Sequence, residues 1–303
     1  MQALFIGQAY IDITFLTDTL PTGDEKAIAR DYAVSFGGNA VNAAFTCARL
    51  GVQPDLMCSQ ADDWLARMFL DMAAQYGVTV HGRKVHESSL SFIMPKGGKR
   101  AIVRCRDNDF LHPFQKLNLS GCRALHLDGH MPDAALYYAR ACREAGILTS
   151  LDGGAVREDT EELLRFIDVA IVSARFCEQL NLSVPDTLAY LRERGCRVGG
   201  VTLGEEGMYW YEGTSPMRHL PALDVPSDKV IDTNGAGDVF HGAYINAFLT
   251  SPDAPWSKHF TFARAASAHA IQHLGNEASL PALSDVCAAM ASLPERPPTP
   301  AQG

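Results

Sequence analysis

The sequence predicts an α/β protein, a three-layer α/β/α sandwich with a small projecting β-sheet. Short apolar runs alternate with helical patterns along most of the 303 residues, which is typical of parallel strands joined by crossover helices. Two segments, 12–36 and about 81–110, instead alternate apolar and polar residues without a helix between them, as exposed strands do. With 47% hydrophobic residues, the chain is long enough to bury one large core.

The elements of the sandwich follow one another in a regular order. Apolar strands are expected at 3–6, 56–59, 124–127, 148–151, 169–172 and 200–203. Helical periodicity is found at 40–50, 64–76, 134–145 and 186–194. Each helical stretch is followed by a glycine, the residue preferred where a helix ends in left-handed backbone, at Gly51, Gly77, Gly146 and Gly195.

A hairpin indicates the projecting sheet. Apolar runs at 91–94 and 101–103 flank the turn residues Pro95-Lys96-Gly97-Gly98-Lys99. With the segment 12–36, this hairpin predicts a lid over a site on the main domain; an edge decoration without that role is the alternative. We expect one domain over 1–293 and a disordered, proline-rich tail at 294–303.

Composition argues against several classes of partner. The formal net charge of −9 disfavours a surface for nucleic acid or for anionic membranes. No apolar run approaches the roughly 20 residues of a membrane span, and the first residues match a strand rather than a signal peptide. Eight cysteines without a CxxC pair are typical of reduced, buried thiols. We therefore expect a cytoplasmic protein with a small-molecule ligand.

The most informative stretch is Asp232-Thr233-Asn234-Gly235-Ala236-Gly237-Asp238, which precedes an apolar helical run. The first N–H groups of a helix have no partner within it, and the helix dipole is positive there. The N–H groups of Ala236, Gly237 and Asp238 would therefore bind a transferring phosphoryl group. The Asp238 carboxylate would accept the proton of the attacking hydroxyl; a simple helix cap is the alternative.

Two other phosphate-binding motifs are absent from the sequence. Gly98-Lys99-Arg100 lacks both the spacing and the hydroxyl of a GxxxxGK[ST] loop. After Gly235-Ala236-Gly237 the next glycine is Gly242, so the GxGxxG spacing is not met. The sequence therefore supports neither a P-loop nor a dinucleotide-binding fold.

The chain resembles the PfkB, or ribokinase-like, carbohydrate kinase family through two separated patterns. The first is Gly37-Gly38-Asn39-Ala40-Val41-Asn42-Ala43-Ala44, and the second is the glycine turn that ends at Asp238. Supporting matches are Val201-Thr202-Leu203-Gly204 with Gly207, and Gly275-Asn276-Glu277-Ala278-Ser279-Leu280-Pro281. Short sequence matches outside these two motifs resemble most the ketohexokinase-like and sulfofructose-kinase-like branches of the family.

The resemblance implies a function and a set of catalytic groups. It implies a ribokinase-like sandwich whose β-sheet lid often forms a homodimer interface, and phosphoryl transfer from ATP, with Mg²⁺, to a hydroxyl of a small sugar. Asp238 would be the base. The anion hole would be formed by Gly235, Ala236 and Gly237.

The resemblance also implies an acceptor pocket lined by Asp12, Gly38 and Asn42. The lid residues Lys26 and Arg104 would meet an anionic group of the substrate; solvated surface side chains are the alternative. Where sulfofructose kinases place an arginine, this chain has Gly129-His130. An acidic or phosphorylated sugar and a neutral ketohexose therefore both stay open.

On the nucleotide side, one family motif is altered. Many members carry Asn-x-x-Glu where this chain has Ser173-Ala174-Arg175-Phe176, and a phenylalanine cannot ligate Mg²⁺. The positions that correspond to nucleotide contacts are Ser173, Thr202, Gly204, Gly207, Arg264 and Ala265. A monovalent-cation loop, for K⁺ in potassium-activated relatives, would involve Asp232, Asn234, Gly275 and Ser279.

Two alternative functions stay open at this stage. A nucleoside kinase of the same fold would use an aromatic lid, for which Phe15, Tyr32 and Phe36 are available. A non-catalytic sugar-binding relative would explain the loss of Asn-x-x-Glu. Four polar side chains are expected near strand ends, namely His126, Asp128, His130 and Asp152. Their position favours polar lining of the pocket over a zinc site.

Overall fold

The computed structural model describes residues 1–17, 23–96 and 99–297. Within these ranges the strands, numbered along the chain, are β1 (Ala3–Gly7), β2 (Tyr10–Leu16), β3 (Asp31–Gly37), β4 (Pro54–Gln60), β5 (Thr79–Lys84), β6 (Leu90–Lys96), β7 (Lys99–Cys105), β8 (Ala124–Leu127), β9 (Leu148–Gly153), β10 (Val169–Ser173), β11 (Val198–Thr202), β12 (Met208–Glu212) and β13 (Arg218–Leu220). The α-helices are α1 (Asn39–Arg49), α2 (Trp64–Tyr76), α3 (Pro132–Glu144), α4 (Thr160–Leu164), α5 (Ala174–Leu180), α6 (Val184–Glu193), α7 (Ala236–Thr250), α8 (Trp256–Ala270) and α9 (Leu283–Ser292).

The main sheet confirms the predicted sandwich. Its strand order is β13-β12-β11-β10-β9-β8-β1-β4-β5. The strands from β11 to β5 in this order are parallel, and β12 and β13 are antiparallel. Because carboxyl ends of parallel strands meet at one edge, the loops that follow β1, β8, β9, β10 and β11 come together there.

Alternation along the central strand explains why helices cover both faces of this sheet. In β1, Ala3 and Phe5 join the core beneath α1, α2, α7, α8 and α9, whereas Leu4 and Ile6 join the core beneath α3 to α6. All four side chains are buried. A strand that is apolar on both faces can be satisfied only by a layer of helices on each side.

The second sheet is the predicted projecting sheet, with the order β3-β2-β6-β7. β6 and β7 form the predicted hairpin, and β2 joins them parallel to β6 and antiparallel to β3. Residues 81–84 were predicted to belong to this sheet, but they lie in β5 of the main sheet, paired with β4. As an edge strand, β5 carries polar side chains and so resembles the lid strands in pattern.

The first residues of the predicted tail are packed against the main domain, which the prolines did not indicate. The Asp224 N–H donates to the Pro294 carbonyl, and the Arg296 N–H donates to the Ala222 carbonyl. Residues 294–297 therefore lie against the main domain, and the rest of the predicted tail lies outside the described residues. None of the helices in the described ranges combines the length and the apolar character that crossing a membrane requires.

Candidate active site

The glycine turn leads directly into α7. Gly235 has φ 73°, and a Cβ there would lie 2.7 Å from Asn276 Oδ1. The first bond within the helix joins the Val239 N–H to the Gly235 carbonyl at 2.9 Å. The N–H groups of Ala236, Gly237 and Asp238 precede that bond, so the start of α7 offers donors to an anion. A Cβ on Gly237 would meet no atom within 4 Å, which leaves room beside these donors.

Asp238 is the acidic residue in the first turn of α7 and is half-buried. Asn42 Nδ2 on α1 donates to Asp238 Oδ2 at 2.6 Å. The two helices approach closely because Gly242 lies between them: a Cβ there would come within 2.3 Å of the Ala43 carbonyl oxygen. The two glycine-containing motifs of the sequence thus meet at this hydrogen bond.

The surroundings of Asp238 make its carboxyl group more basic than usual. Burial, followed by the negative charge of Asp152, raises the pKa of Asp238 to about 8, against the opposing effects of Asn42 and Arg100. A base is most effective when its pKa lies near the working pH. The environment therefore suits Asp238 to accept a proton from a hydroxyl group.

Asp12 lies in the middle of β2 and is 3% exposed. Asn276 Nδ2 donates to Asp12 Oδ2 at 2.9 Å and to the Phe36 carbonyl at 2.8 Å, while Asp12 Oδ1 is buried without a partner. Burial raises the pKa of Asp12, against hydrogen bonds to Ser91 and Asn276. Asn276 belongs to a motif of the sequence, but its contact with Asp12 was not predicted, because Asp12 lies far away in the chain, in the lid.

Among the described residues, several buried oxygens in this region have no hydrogen-bond partner. Besides Asp12 Oδ1, they include Asn42 Oδ1 and Gln8 Oε1. Buried polar atoms are normally satisfied. The hydroxyl groups of a sugar supply such partners, because each can donate and accept.

Gly38 brings the first motif against the end of β1. Its φ is 109°, and a Cβ would lie 2.0 Å from the Gln8 carbonyl oxygen. The Asn42 N–H donates to the Gly38 carbonyl at 2.8 Å, so this glycine also precedes the first turn of α1. Its position explains why a side chain is excluded there.

The ends of β8 and β9 add two buried carboxylates. Asp128 accepts hydrogen bonds from the Ala40 N–H at 3.3 Å and the His130 N–H at 3.0 Å. Burial alone would raise the pKa of Asp128, but His130 and Arg157 hold it below its usual value. Asp152 Oδ2 accepts from Asn39 Nδ2 at 2.8 Å. No group of three metal-ligating side chains is found among the described residues, and polar lining of the pocket by these side chains stays a prediction.

The lid places one of the two predicted basic side chains beside Asp12. Arg104 Nε donates to Ser91 Oγ at 3.1 Å, and Ser91 pairs with Asp12 across β2 and β6. The Arg104 guanidinium also lies 4.5 Å from the Tyr10 ring centroid. Lys26 is exposed on the segment between β2 and β3, and no described contact joins it to Asp12 or Asp238.

Sequence reasoning missed Arg100. Its Nη1 lies 3.4 Å from the Thr233 carbonyl, directly before the glycine turn. Alternation along β7 places Arg100 on the same face as Arg104. That spacing was readable in the sequence, but only the fold shows that this face meets the turn.

The predicted nucleotide-binding residues divide into two groups. Ser173 and Thr202 end β10 and β11, and Gly204 and Gly207 shape the turn that follows. A Cβ on Gly207 would lie 2.1 Å from the Leu220 carbonyl oxygen, so this turn packs tightly on the loop after β13. The altered motif ends at Phe176, which is fully buried and offers no metal ligand.

Arg264 and Ala265 on α8 are engaged within the protein. Arg264 Nη1 donates to the Pro221 carbonyl at 2.7 Å and to Glu295 Oε1 at 2.9 Å. Ala265 is fully buried. Direct contact of these two residues with a nucleotide stays a prediction; in the structure Arg264 supports the loop after β13, and Ala265 belongs to the core.

The four residues predicted for a cation loop lie together. Asp232 is 2% exposed, and its two oxygens accept from the N–H groups of Asn234, at 2.9 Å, and Gly275, at 3.3 Å. Ser279 Oγ donates to the Gly275 carbonyl at 2.7 Å. The loop is therefore held by internal bonds, and K⁺ binding there stays a prediction.

Comparison with known proteins identifies the family. The family model described as pfkB family carbohydrate kinase matches residues 2–283. The ATP-dependent ribose-1-phosphate kinase of Halopiger xanaduensis is 29% identical over 84% of this chain and 86% of its own. The fructoselysine 6-kinase of Escherichia coli is 30% identical over 72% of this chain and 84% of its own.

A solved structure, that of the ribokinase from Thermotoga maritima, has the same fold, with a TM-score of 0.80, 23% identity and coverage of 96% of this chain and 100% of that one. These relatives do not test the placement near the ketohexokinase-like and sulfofructose-kinase-like branches, which stays a prediction. The match over nearly the whole chain, together with the glycine turn and its buried acid, shows that this chain is a carbohydrate kinase of the pfkB family.

Proposed function

We propose that this kinase transfers the γ-phosphoryl group of ATP to a hydroxyl group of a small sugar or sugar derivative, with Asp238 as the base. One observation carries the proposal: Asp238 lies in the first turn of α7, held by Asn42 at 2.6 Å, with a raised pKa. Phosphoryl transfer needs an anion site and a proton acceptor at one point. The start of α7 offers both.

The chemistry divides between backbone and side chain. In a loose transition state, negative charge spreads over the phosphoryl oxygens, and the turn of Gly235, Ala236 and Gly237 would stabilise it through backbone N–H groups. The acceptor hydroxyl would lose its proton to Asp238 late in the transfer. Mg²⁺, bound by the ATP phosphates and by water, would neutralise phosphate charge.

The acceptor is proposed to be a polyol. Asp12 and Asn42 each keep a buried oxygen without a protein partner, and hydroxyl groups would satisfy both. Arg104, beside Asp12, would bind an anionic substituent if the acceptor carries one. A neutral sugar and an anionic sugar therefore both remain candidates, and no contact between Lys26 and the other described residues favours either.

The arrangement of aromatic residues favours a sugar over a nucleoside. Phe36 is fully buried and stacks on Phe45 at 3.7 Å between ring centroids. Phe15 stacks on Phe92 at 5.2 Å and lies near Tyr32. Side chains alternate between the two faces of a sheet. Phe15, three residues after Asp12 in β2, and its cross-strand partner Tyr32 in β3 therefore lie on the face opposite Asp12, away from the acceptor pocket. An aromatic cover over a purine base is therefore not supported.

A panel experiment tests the proposal. ADP formation would be measured with ribose, fructose, tagatose, ribose 1-phosphate, gluconate and adenosine, on wild type and on Asp238→Asn. We expect at least one sugar to be phosphorylated and kcat to fall about 10³-fold in the variant, within the range of positioned base catalysis. An unchanged kcat in the variant would refute the role of Asp238. Turnover of adenosine alone would favour the nucleoside kinase, and binding of a sugar without turnover would favour the non-catalytic relative.

We also propose a homodimer through the lid, in the cytoplasm. The lid face opposite Asp12 carries exposed apolar side chains, with Phe92 at 38% and Val103 at 68% exposure, and a second copy of the lid would cover them. Most cysteines are free and buried, as in a reducing compartment. Sedimentation should give a dimer for wild type and a monomer for Val103→Asp; a monomeric wild type would refute the interface.

A further inference from the structure

A chain of buried polar side chains runs from α7 into the main sheet, and it has no part in the phosphoryl transfer proposed for this site. His241 is three residues after Asp238 on α7, so the two lie on the same side of the helix. His241 Nε2 lies 3.5 Å from Asp152 Oδ1, and Nδ1 lies 2.9 Å from Tyr244 Oη. The chain continues into the sheet.

Tyr244 Oη lies 2.5 Å from Ser150 Oγ, which lies 2.9 Å from His126 Nδ1. Burial lowers the pKa of His241 to about 3, and burial together with His241 lowers that of His126 to about 3. Both imidazoles are therefore neutral at physiological pH, and each carries one N–H.

The direction of this chain depends on the charge of Asp152. An ionised Asp152 needs an N–H on His241 Nε2. His241 Nδ1 must then accept from Tyr244, Tyr244 must accept from Ser150, and Ser150 must accept from the Nδ1–H of His126. The reverse direction would present an unprotonated nitrogen to Asp152. An ionised Asp152 and this direction of the chain therefore require the same His241 tautomer, the one protonated on Nε2.

We propose that Asp152 and His241 are positioning residues for Asp238: Asn39 and Asn42, three residues apart on α1, hold Asp152 and Asp238 as neighbouring carboxylates, and His241 lies against Asp152. This inference rests on the proposed role of Asp238 as the base. A second carboxylate near Asp238 opposes its ionisation and makes it a stronger proton acceptor, as in other paired carboxylates. His241, whose Nε2 lies 3.5 Å from Asp152 Oδ1, holds that second carboxylate in position.

Three further groups face Asp238 from other elements. Asp238 is also faced by Asp12 on β2, which acts in the same direction as Asp152, and by Arg100 on β7, which opposes it. Asn42 on α1 donates to it. No hydrogen bond or ion pair joins His241 to these three groups in the described part of the chain, so its contact with Asp152 is the link to test.

Asp152 has its own neighbours. Burial raises its pKa; Asn39 on α1 and the histidines of the β8 end, His126 and His130, oppose that rise, and Asp128 adds to it. Asn39 donates to Oδ2, and His241 lies near Oδ1. Loss of the His241 N–H would leave Asp152 easier to protonate, and its effect on Asp238 would weaken.

The test is the pH dependence of kcat/KM, with the most active sugar of the panel. In wild type the acidic limb reports the protonation of Asp238. We expect Asp152→Asn to move this limb to lower pH by about one unit, since the paired charge is gone. His241→Leu should move it in the same direction, and His241→Gln, whose amide can donate to Asp152, should restore the wild-type limb. A purely structural role would lower kcat or stability without moving the limb.

A second readout does not need turnover. In ligand-free protein labelled with [4-¹³C]aspartate, the Asp238 resonance, assigned by its loss in Asp238→Asn, should titrate at lower pH in Asp152→Asn. An acidic limb and a resonance that both titrate as in wild type would overturn the inference. If wild type phosphorylates no sugar, the proposed function fails, whereas the NMR titration still decides this inference. If His241→Leu does not fold, Asp152→Asn decides alone.

Discussion

The two sides proposed for the site, an acceptor side and a nucleotide side, use different groups. On the acceptor side, Asp12 and Asp238 are buried or half-buried carboxylates, each held by the amide of Asn276 or Asn42. On the nucleotide side, Gly204 and Gly207 shape a turn, and the hydroxyls of Ser173 and Thr202 donate to main-chain carbonyls of the protein itself.

This difference predicts that the acceptor side selects its ligand, whereas the nucleotide side mainly provides space and backbone groups. Buried side chains with unsatisfied oxygens reject a ligand that lacks matching hydroxyl groups, because the unpaired atoms then stay desolvated. A glycine turn instead offers backbone and space. We therefore expect acceptor-side substitutions to change which sugar is used, and nucleotide-side substitutions to change affinity for ATP.

Gly235→Ala should have the largest effect of the substitutions below. Its Cβ would strike Asn276 at 2.7 Å in left-handed backbone, which displaces the anion-binding N–H groups. Losing one such donor costs about 10²–10³-fold in kcat. Gly77→Ala is the matched control, since Gly77 has φ 70° and an open surrounding; equal kcat in both variants would contradict the role of the turn.

Asp12→Asn should act on the acceptor alone. A hydrogen bond to a charged group contributes about 1.5–3 kcal/mol, so KM for the sugar should rise about 10–100-fold. Initial-rate kinetics with each substrate varied in turn would measure this effect. KM for ATP serves as the internal control, and a parallel rise in both values would break the proposed division between the two sides.

Gly207→Ala should act on the nucleotide side. Its Cβ would lie 2.1 Å from the Leu220 carbonyl, so the turn must shift, and we expect KM for ATP to rise about tenfold, roughly 1.4 kcal/mol. Gly213→Ala, after β12, is the control, because its φ is 55° and no atom lies within 4 Å of its Cβ. A tenfold change in the sugar KM instead would reverse the assignment.

The last prediction concerns the pH dependence of stability and involves the buried histidines His126 and His241. Folding lowers the pKa of His126 and His241 to about 3. Below about pH 6.5 the unfolded chain therefore binds protons that the folded chain does not, and stability falls with decreasing pH by about 1.4 kcal/mol per pH unit for each histidine. Urea unfolding between pH 7 and 4.5 would measure the slope. His126→Gln should reduce the slope by about 1.4 kcal/mol per pH unit, and an unchanged slope would contradict the effect of burial on this histidine.

Local patterns predicted much of the fold. The strand β8 and the helix α2 have the expected bounds, because alternation and helical periodicity are contained within each segment. β5 was placed in the lid, because the polar pattern of an edge strand does not reveal which sheet it joins. The packing of residues 294–297 depends on distant partners and was missed for the same reason.

The site was predictable where a short motif carries it. Asp238 and Asn42 each lie in a recognisable glycine-containing pattern, but their hydrogen bond joins residues 196 positions apart and needed the fold. The Asp152–His241 contact was missed, because an aspartate after one strand and a histidine within a helix carry no joint signal. Arg264 matched a family position, yet its guanidinium binds Pro221 and Glu295.

Gly242 has a consequence for attempts to transplant this chemistry. A single missing methyl group lets two distant stretches of chain touch, since any larger residue would push the Ala43 backbone away. Asp238, the proposed base, and the Asn42 amide that holds it are therefore inseparable parts. A designer who grafted the glycine turn onto another scaffold without its partner helix would carry over the acid but lose the amide that orients it.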